Sequence, residues 1–169
     1  LRSGALAGDV LGVAGSVGLA AAGLAALRGG VVVPAPALRA FRRPVARIAE
    51  GLAAAASAHA AIDVSDGLAL DASRIASESG VGVELDVDAL LRHAGPDLLA
   101  AALALGKDPL ELVLHGGEDY ALLAALTPGT TPATFAAIGC FVDEAGVFLR
   151  KSDGTREALA ARGFDHFGQ

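Results

Sequence analysis

The chain contains one cysteine, Cys140. That excludes an internal disulfide and any metal site built from cysteines, and it fits a reducing compartment. Methionine is absent altogether, so the chain lacks an initiator residue and is expected to be a fragment or a processed product. No excess of positive charge exists either: 13 Lys and Arg against 19 Asp and Glu give a net charge of −6. A general nucleic-acid binder, or a protein held on anionic lipid, needs a basic face, so this balance argues against both classes.

Charge is missing entirely from Val10 to Leu27, a run long enough to raise the question of a membrane span. The run holds Gly12, Gly15, Gly18 and Gly23, and most of the rest is alanine, so few large apolar side chains are present to drive insertion. A signal peptide fits poorly because Asp9 interrupts the apolar stretch expected after Arg2. The glycines at 12, 15 and 18 match neither the dinucleotide-binding nor the P-loop spacing. Close packing of a helix on a strand is the reading they support.

What is present suits one domain: 169 residues, 53% hydrophobic, with enough alanine for closely packed helices. Asp9 to Ala14 reads as a short buried strand, Gly15 to Gly18 as a turn, and Leu19 to Arg28 as a helix closed by Gly29 and Gly30. Val31 to Ala37 is expected to be extended, because Pro34 and Pro36 oppose a helix. Arg39, Arg42, Arg43 and Arg47 surround Pro44, which suits the first turn of a helix reaching about Ser57. Four arginines in nine positions have the chemistry to meet phosphates, but a solvated helix face is the favoured reading. His59 is expected to be a packing or loop residue.

The most informative stretch is Ala60 to Asp71. Ala61, Ile62 and Val64 read as the end of a buried strand, and a helical pattern on Leu68, Ala72, Ile75 and Ala76 runs to Ser79, with Gly80 as its C-terminal cap. Asp63, Ser65 and Asp66 therefore sit on a strand-to-helix link. Two carboxylates so close stay ionised only with a cation or donors between them. A few hard oxygen ligands suit Mg²⁺, which keeps waters and takes phosphate oxygens for the rest of its shell. The alternative is that Ser65 or Asp66 merely caps the helix.

Val81 to Val87 alternates as a strand, and Asp88 to His93 and Asp97 to Leu105 read as two helices split by Gly95-Pro96. Asp108-Pro109-Leu110-Glu111 opens a further helix, with Asp as N-cap and Pro at the first position. Gly116-Gly117-Glu118-Asp119 then precedes a strand from Tyr120 to Leu126, so two adjacent acids stand at a strand mouth. Thr131 to Ile138 is expected to be a helix, Phe141-Val142 and Val147 to Arg150 a hairpin around Glu144-Ala145-Gly146, and Glu157 to Arg162 a short helix. The alternation of short apolar strands with capped helices predicts an α/β domain: a mixed sheet with helices on one face.

Four motifs carry a resemblance to the thiamine-monophosphate kinase family, within the ATP-dependent superfamily that also holds aminoimidazole ribonucleotide synthetase, selenophosphate synthetase and a hydrogenase-maturation protein. They are Leu1-Arg2-Ser3-Gly4-Ala5 with Gly8-Asp9, Asp63-Val64-Ser65-Asp66-Gly67-Leu68 with Asp71, Gly116-Gly117-Glu118-Asp119-Tyr120, and Gly163-Phe164-Asp165-His166-Phe167. The resemblance implies that Asp63 and Asp66 bind Mg²⁺, that Ser65 and Arg2 contact ATP, and that Glu118 and a terminal aromatic, Phe167 or else Phe164, contact the substrate. It also implies direct transfer of the γ-phosphoryl group of ATP to thiamine monophosphate, with no nucleophilic side chain. The second half of such an enzyme is then what residues 1–169 represent, as a single C-terminal α/β domain. The N-terminal ATP-binding domain is absent, so this piece alone is expected to be inactive. A cytoplasmic homodimer with no nucleic-acid or membrane partner is the implied setting. The competing readings are another ATP-dependent enzyme of that superfamily, or a non-catalytic nucleotide-binding module.

Overall fold

The computed structural model describes residues 1–160. The apolar segments build one seven-stranded sheet from β1 (Val10–Ala14), β2 (Ala58–Val64), β3 (Gly82–Asp86), β4 (Ala121–Leu126), β5 (Ala136–Val142), β6 (Val147–Arg150) and β7 (Arg156–Ala158). The strand order is β2-β4-β1-β5-β3-β6-β7, and every pair is antiparallel except β3 with β6. Six helices connect the strands: α1 (Leu19–Gly29), α2 (Ala35–Arg42), α3 (Ile48–Ala54), α4 (Leu68–Ser79), α5 (Val87–Leu105) and α6 (Pro109–His115). The expected mixed sheet with a helical layer is therefore present.

Strand β4 shows how the layers form. Ala121, Leu123 and Ala125 point into the main core with Leu68, Ile75, Leu90, Leu98 and Val113 from the helices. Ala124 and Leu126 face the other way, into a small cluster with Ala54 of α3 and Phe135. This two-sided burial follows from the period of two along a central strand. The uncharged run Val10–Leu27 is divided between β1 and α1, and among the described residues no helix is long and apolar enough to cross a membrane.

Local chemistry sets several boundaries as expected. Asp108 accepts the Leu110 N–H at 2.9 Å and starts α6, and Gly80, in the left-handed region, ends α4. Helix α5 bends at Gly95, where the two expected helices meet. Register then brings one end of the sheet into focus. Val64 faces Ala121 and Ala14 faces Leu122, so the exits of β2 and β1 and the entry of β4 lie together.

Five expectations fail. Helix α2 begins at Ala35, because Pro34 and Pro36 fall at its N-cap and first turn, where proline is tolerated. Pro44 lies in an irregular segment, and α3 starts only at Ile48 and stops at Ala54. Residues 136–138 belong to β5, not to a helix from Thr131; Thr130 turns back on Thr127 through its hydroxyl, and the sheet takes Ile138 and Phe141 into its core. Strands β5 and β6 form no hairpin, because β3 lies between them and pairs with both. Arg156–Ala158 is an edge strand on β6, held by Arg156 over the Phe148 ring at 3.5 Å and by its ion pair to Glu84 at 2.9 Å. The remainder of the expected helix from Glu157 to Arg162, and both Phe164 and Phe167, extend outside the described residues.

Candidate active site

The link from β2 to α4 is shaped from below by Asp71. This residue is fully buried, and its Oδ2 accepts the backbone N–H groups of Ser65 and Asp66 at 3.0 Å each. Its Oδ1 takes Arg74 Nη1 at 2.5 Å, while Arg74 Nη2 reaches Asp66 Oδ2 at 2.6 Å. Burial pushes the Asp71 carboxyl up, and the two N–H groups and Arg74 pull it back down. The Asp66 carboxylate holds the Arg74 guanidinium above its ordinary value. Gly67 follows at φ 115°, and a Cβ there would lie 3.2 Å from the His115 carbonyl carbon, so the turn needs glycine for both conformation and space. Capping by Ser65 or Asp66 is not how α4 begins: Gly67 is its N-cap and no side chain caps it.

A second segment lies against this link. The Glu118 N–H donates to the Ser65 carbonyl and the Tyr120 N–H to the Val64 carbonyl, both at 2.9 Å. Glu118 and Tyr120 carry φ of 67° and 49°, a region that side-chain-bearing residues occupy at a cost and that clusters at functional sites. The twist sends successive side chains to opposite sides. Tyr120 donates its hydroxyl to Glu118 Oε2 at 3.3 Å, and Glu118 beside it pushes the phenol up, with burial, Asp63 and Asp66 adding to the effect. Asp63 is exposed, Asp66 and Glu118 are half-buried, and the charge of all three acts on this one phenol.

Asp119 turns the other way and is buried. Its carboxylate accepts the N–H groups of Gly18 at 2.6 Å and Ala20 at 3.1 Å, closing the N-terminus of α1. Burial pushes this carboxyl up to about 7, against the pull of the two donors. The adjacent acids of the strand mouth are therefore divided, Glu118 facing the link and Asp119 serving the fold.

Arg2 is exposed on the free edge of β2, where the Leu1 carbonyl accepts the Ala61 N–H at 2.8 Å. The segment behind it is tied down by Ser79 Oγ, which accepts Gly4 N–H and Ala5 N–H, and by buried Asp9, which meets the Leu6 N–H and His59 Nδ1 at 2.9 and 2.8 Å. No hydrogen bond joins Arg2 to Asp63, Asp66 or Glu118 among the described residues. Sequence reasoning missed two residues that organise the site, Arg74 and Tyr120. Arg74 had a local signal, its spacing of three from Asp71 on one helix.

The donors at the link are all oxygens: Asp63, the Asp66 carboxylate with Ser65 Oγ 3.4 Å from its Oδ1, and Glu118. That chemistry fits Mg²⁺. Among the described residues no three His, Cys, Asp or Glu side chains converge as a ready metal cage, so the residues fit a partial shell completed by waters and phosphate oxygens.

A family model described as AIR synthase related protein, C-terminal domain, matches residues 7–149. The thiamine-monophosphate kinase of Mycobacterium tuberculosis (strain CDC 1551 / Oshkosh) is 46% identical over 144 residues, covering 85% of this chain and 43% of that protein. The thiamine-monophosphate kinase of Pyrococcus horikoshii is 30% identical over 169 residues, covering 98% of this chain and 52% of that protein. Among solved structures, AaThiL complexed with AMPPCP and TMP matches with a TM-score of 0.84 at 32% identity, over 98% of this chain and 53% of that chain. The hydrogenase maturation protein HypE of E. coli matches with a TM-score of 0.75 at 20% identity, over 99% of this chain and 53% of that one, a likeness of fold alone. The chain spans about half the length of the curated relatives it matches. With the family model covering most of its residues and the fold following the same relatives, this chain belongs to the AIR synthase related protein C-terminal domain family.

Proposed function

We propose that this chain is the C-terminal half of an ATP- and Mg²⁺-dependent kinase that phosphorylates thiamine monophosphate to thiamine diphosphate. The observation that carries the reading is the joining of the Asp63–Asp66 link to the Glu118 loop by two backbone hydrogen bonds, in a chain 46% identical to a thiamine-monophosphate kinase. AaThiL, the similar structure, was solved with AMPPCP and TMP.

In this reading Asp63 and Asp66 hold the metal, Ser65 and Arg2 meet the nucleotide phosphates, and Asp71 with Arg74 fixes the link. Glu118 faces the aminopyrimidine N–H donors and the cationic thiazolium, and Tyr120 sets its carboxylate direction. Phe167 or Phe164 supplies an aromatic face to the heterocycle. Mg²⁺ held by Asp63 and Asp66 would offset the crowded phosphate charge, and in a direct, in-line transfer the protein's task is to position two phosphorylated molecules. No side chain acts as nucleophile. Residues 1–169 form one domain, and a preceding ATP-binding domain supplies the remaining metal ligands and the dimer contact in a cytoplasmic enzyme. Alone, this chain is inactive.

The test is Mg²⁺-dependent ATP turnover by the full-length protein with and without thiamine monophosphate. The expected result is turnover that needs both and yields thiamine diphosphate. Turnover indifferent to thiamine monophosphate, or none at all in the full-length protein, overturns the proposal.

A further inference from the structure

Four of the 13 cationic residues of this acidic chain lie between Arg39 and Arg47. Helix α2 and the irregular segment after it carry three of them to the exit of β1, the same end of the sheet as the candidate active site. There Arg39, Arg43 and Arg47 line a cavity of about 180 Å³ with Ser16 and Asp119. Arg39 and Arg43 are exposed and form no ion pair among the described residues. Asp119 forms no ion pair with the arginines among the described residues; its two oxygens accept the Gly18 and Ala20 N–H groups.

Arg47 shows the most specific geometry. Its guanidinium lies over Gly15, where a Cβ would stand 2.6 Å from Nε and 3.0 Å from Nη2, and Gly15 has φ 100°. Only glycine at this turn lets the guanidinium lie there. Glu50 engages Nη1 at 3.3 Å, and Nε and Nη2, the edge suited to two oxyanion oxygens, take no hydrogen-bond partner among the described residues. Nε is buried and has no hydrogen-bond partner among the described residues. A buried N–H of this kind is costly without an acceptor. With Arg47 paired to Glu50, the exposed Arg39 and Arg43 leave two positive charges with no ion-pair partner among the described residues.

We propose that Arg39, Arg43 and Arg47, seated against the Gly15–Gly18 turn, form a binding site for a phosphoryl group, separate from the Asp63–Asp66 link and independent of metal. Sequence spacing discounted the glycine turn and the arginine cluster separately; the fold brings them into one cavity. The site rests on no step of the kinase reading.

The test titrates the full chain, free of Mg²⁺ and at constant ionic strength, with inorganic phosphate and pyrophosphate by calorimetry. The wild type, Arg47→Gln, the exposed pair Arg39→Gln/Arg43→Gln and Asp63→Asn/Asp66→Asn are compared. Binding is expected in the wild type, weakened about tenfold or more by either arginine variant and kept in the aspartate variant. The exposed pair separates lost binding from lost folding. Thiamine and thiamine monophosphate distinguish the source: an ester phosphoryl ligand makes the arginine variants weaken the monophosphate alone, whereas a site for free phosphate responds only to the inorganic anions. Either pattern supports the proposal. No phosphate binding, affinities within about twofold across the arginine variants, or a loss confined to the aspartate variant overturns it. Arginine-dependent phosphate binding in a protein without kinase activity would sink the kinase reading alone.

Discussion

The buried carboxyl of Asp119 should contribute stability that is lost as pH rises. Its folded pKa stands at about 7 against an ordinary value of 3.8. Between those values the folded chain holds a proton that the unfolded chain has released, so this contribution is complete below about pH 4 and lost as pH passes about 7. A gap of about three pH units corresponds to about 4 kcal/mol. The positive end of α1 also favours the charged form, so about 2–4 kcal/mol is the working range. Asp119→Asn keeps the volume and removes the titration. The assay is urea unfolding of both proteins from pH 4 to 8. Their stability difference should shift by this amount against the wild type as pH rises. Parallel curves would refute the argument, and a wild type that gains on the variant with rising pH would mean that the carboxylate is ionised throughout as an ordinary cap.

Further outcomes follow from the same geometry. Asp71→Asn presents an amide N–H₂ to Arg74 in place of an oxygen, and should cost about 1.5–3 kcal/mol, discounted for the part-exposed guanidinium. At about 2–4 °C per kcal/mol for a domain of this size, the melting temperature should drop by several degrees; an unchanged melt would show that the link does not depend on Asp71. Asp108→Ala should cost about 0.5–2 kcal/mol through loss of the α6 cap, read by urea unfolding, and no change would assign the start of α6 to packing alone. Glu118→Gly relieves a φ of 67° and should leave stability equal or raise it by up to about 1 kcal/mol, while thiamine monophosphate binding in the full-length protein weakens; a clear loss of stability would mean that the residue is structural.

The parts legible in the sequence were those decided locally. Helix α4 followed from a 3.6-residue stripe ending in Gly80, and α6 from Asp108 and Pro109, because a cap and its donor lie within a few residues of each other. The Asp63–Asp66 link was legible for the same reason. The parts that escaped depend on residues far apart. Asp119 caps a helix 99 to 101 positions away, which no window of sequence reveals. Residues 136–138 have the alanine content of a helix, yet the sheet takes them because β1 and β3 both need a partner there. The parallel pairing of β6 with β3 likewise defeats a hairpin that turn residues alone suggested. Arg156 had no local reason to extend an edge, since Phe148 and Glu84 hold it from other strands.

The central claim is that the β2–α4 link and the Glu118 loop form one site with divided roles. It is tested most directly by steady-state kinetics of the full-length protein across Mg²⁺ and thiamine monophosphate concentrations, comparing wild type, Asp63→Asn and Glu118→Gln. The account predicts that Asp63→Asn raises the Mg²⁺ requirement and lowers turnover. Glu118→Gln should weaken thiamine monophosphate binding by about 1–3 kcal/mol with little change for ATP. Kinetics that are unchanged in both variants, or equal losses for both substrates in each, would contradict it.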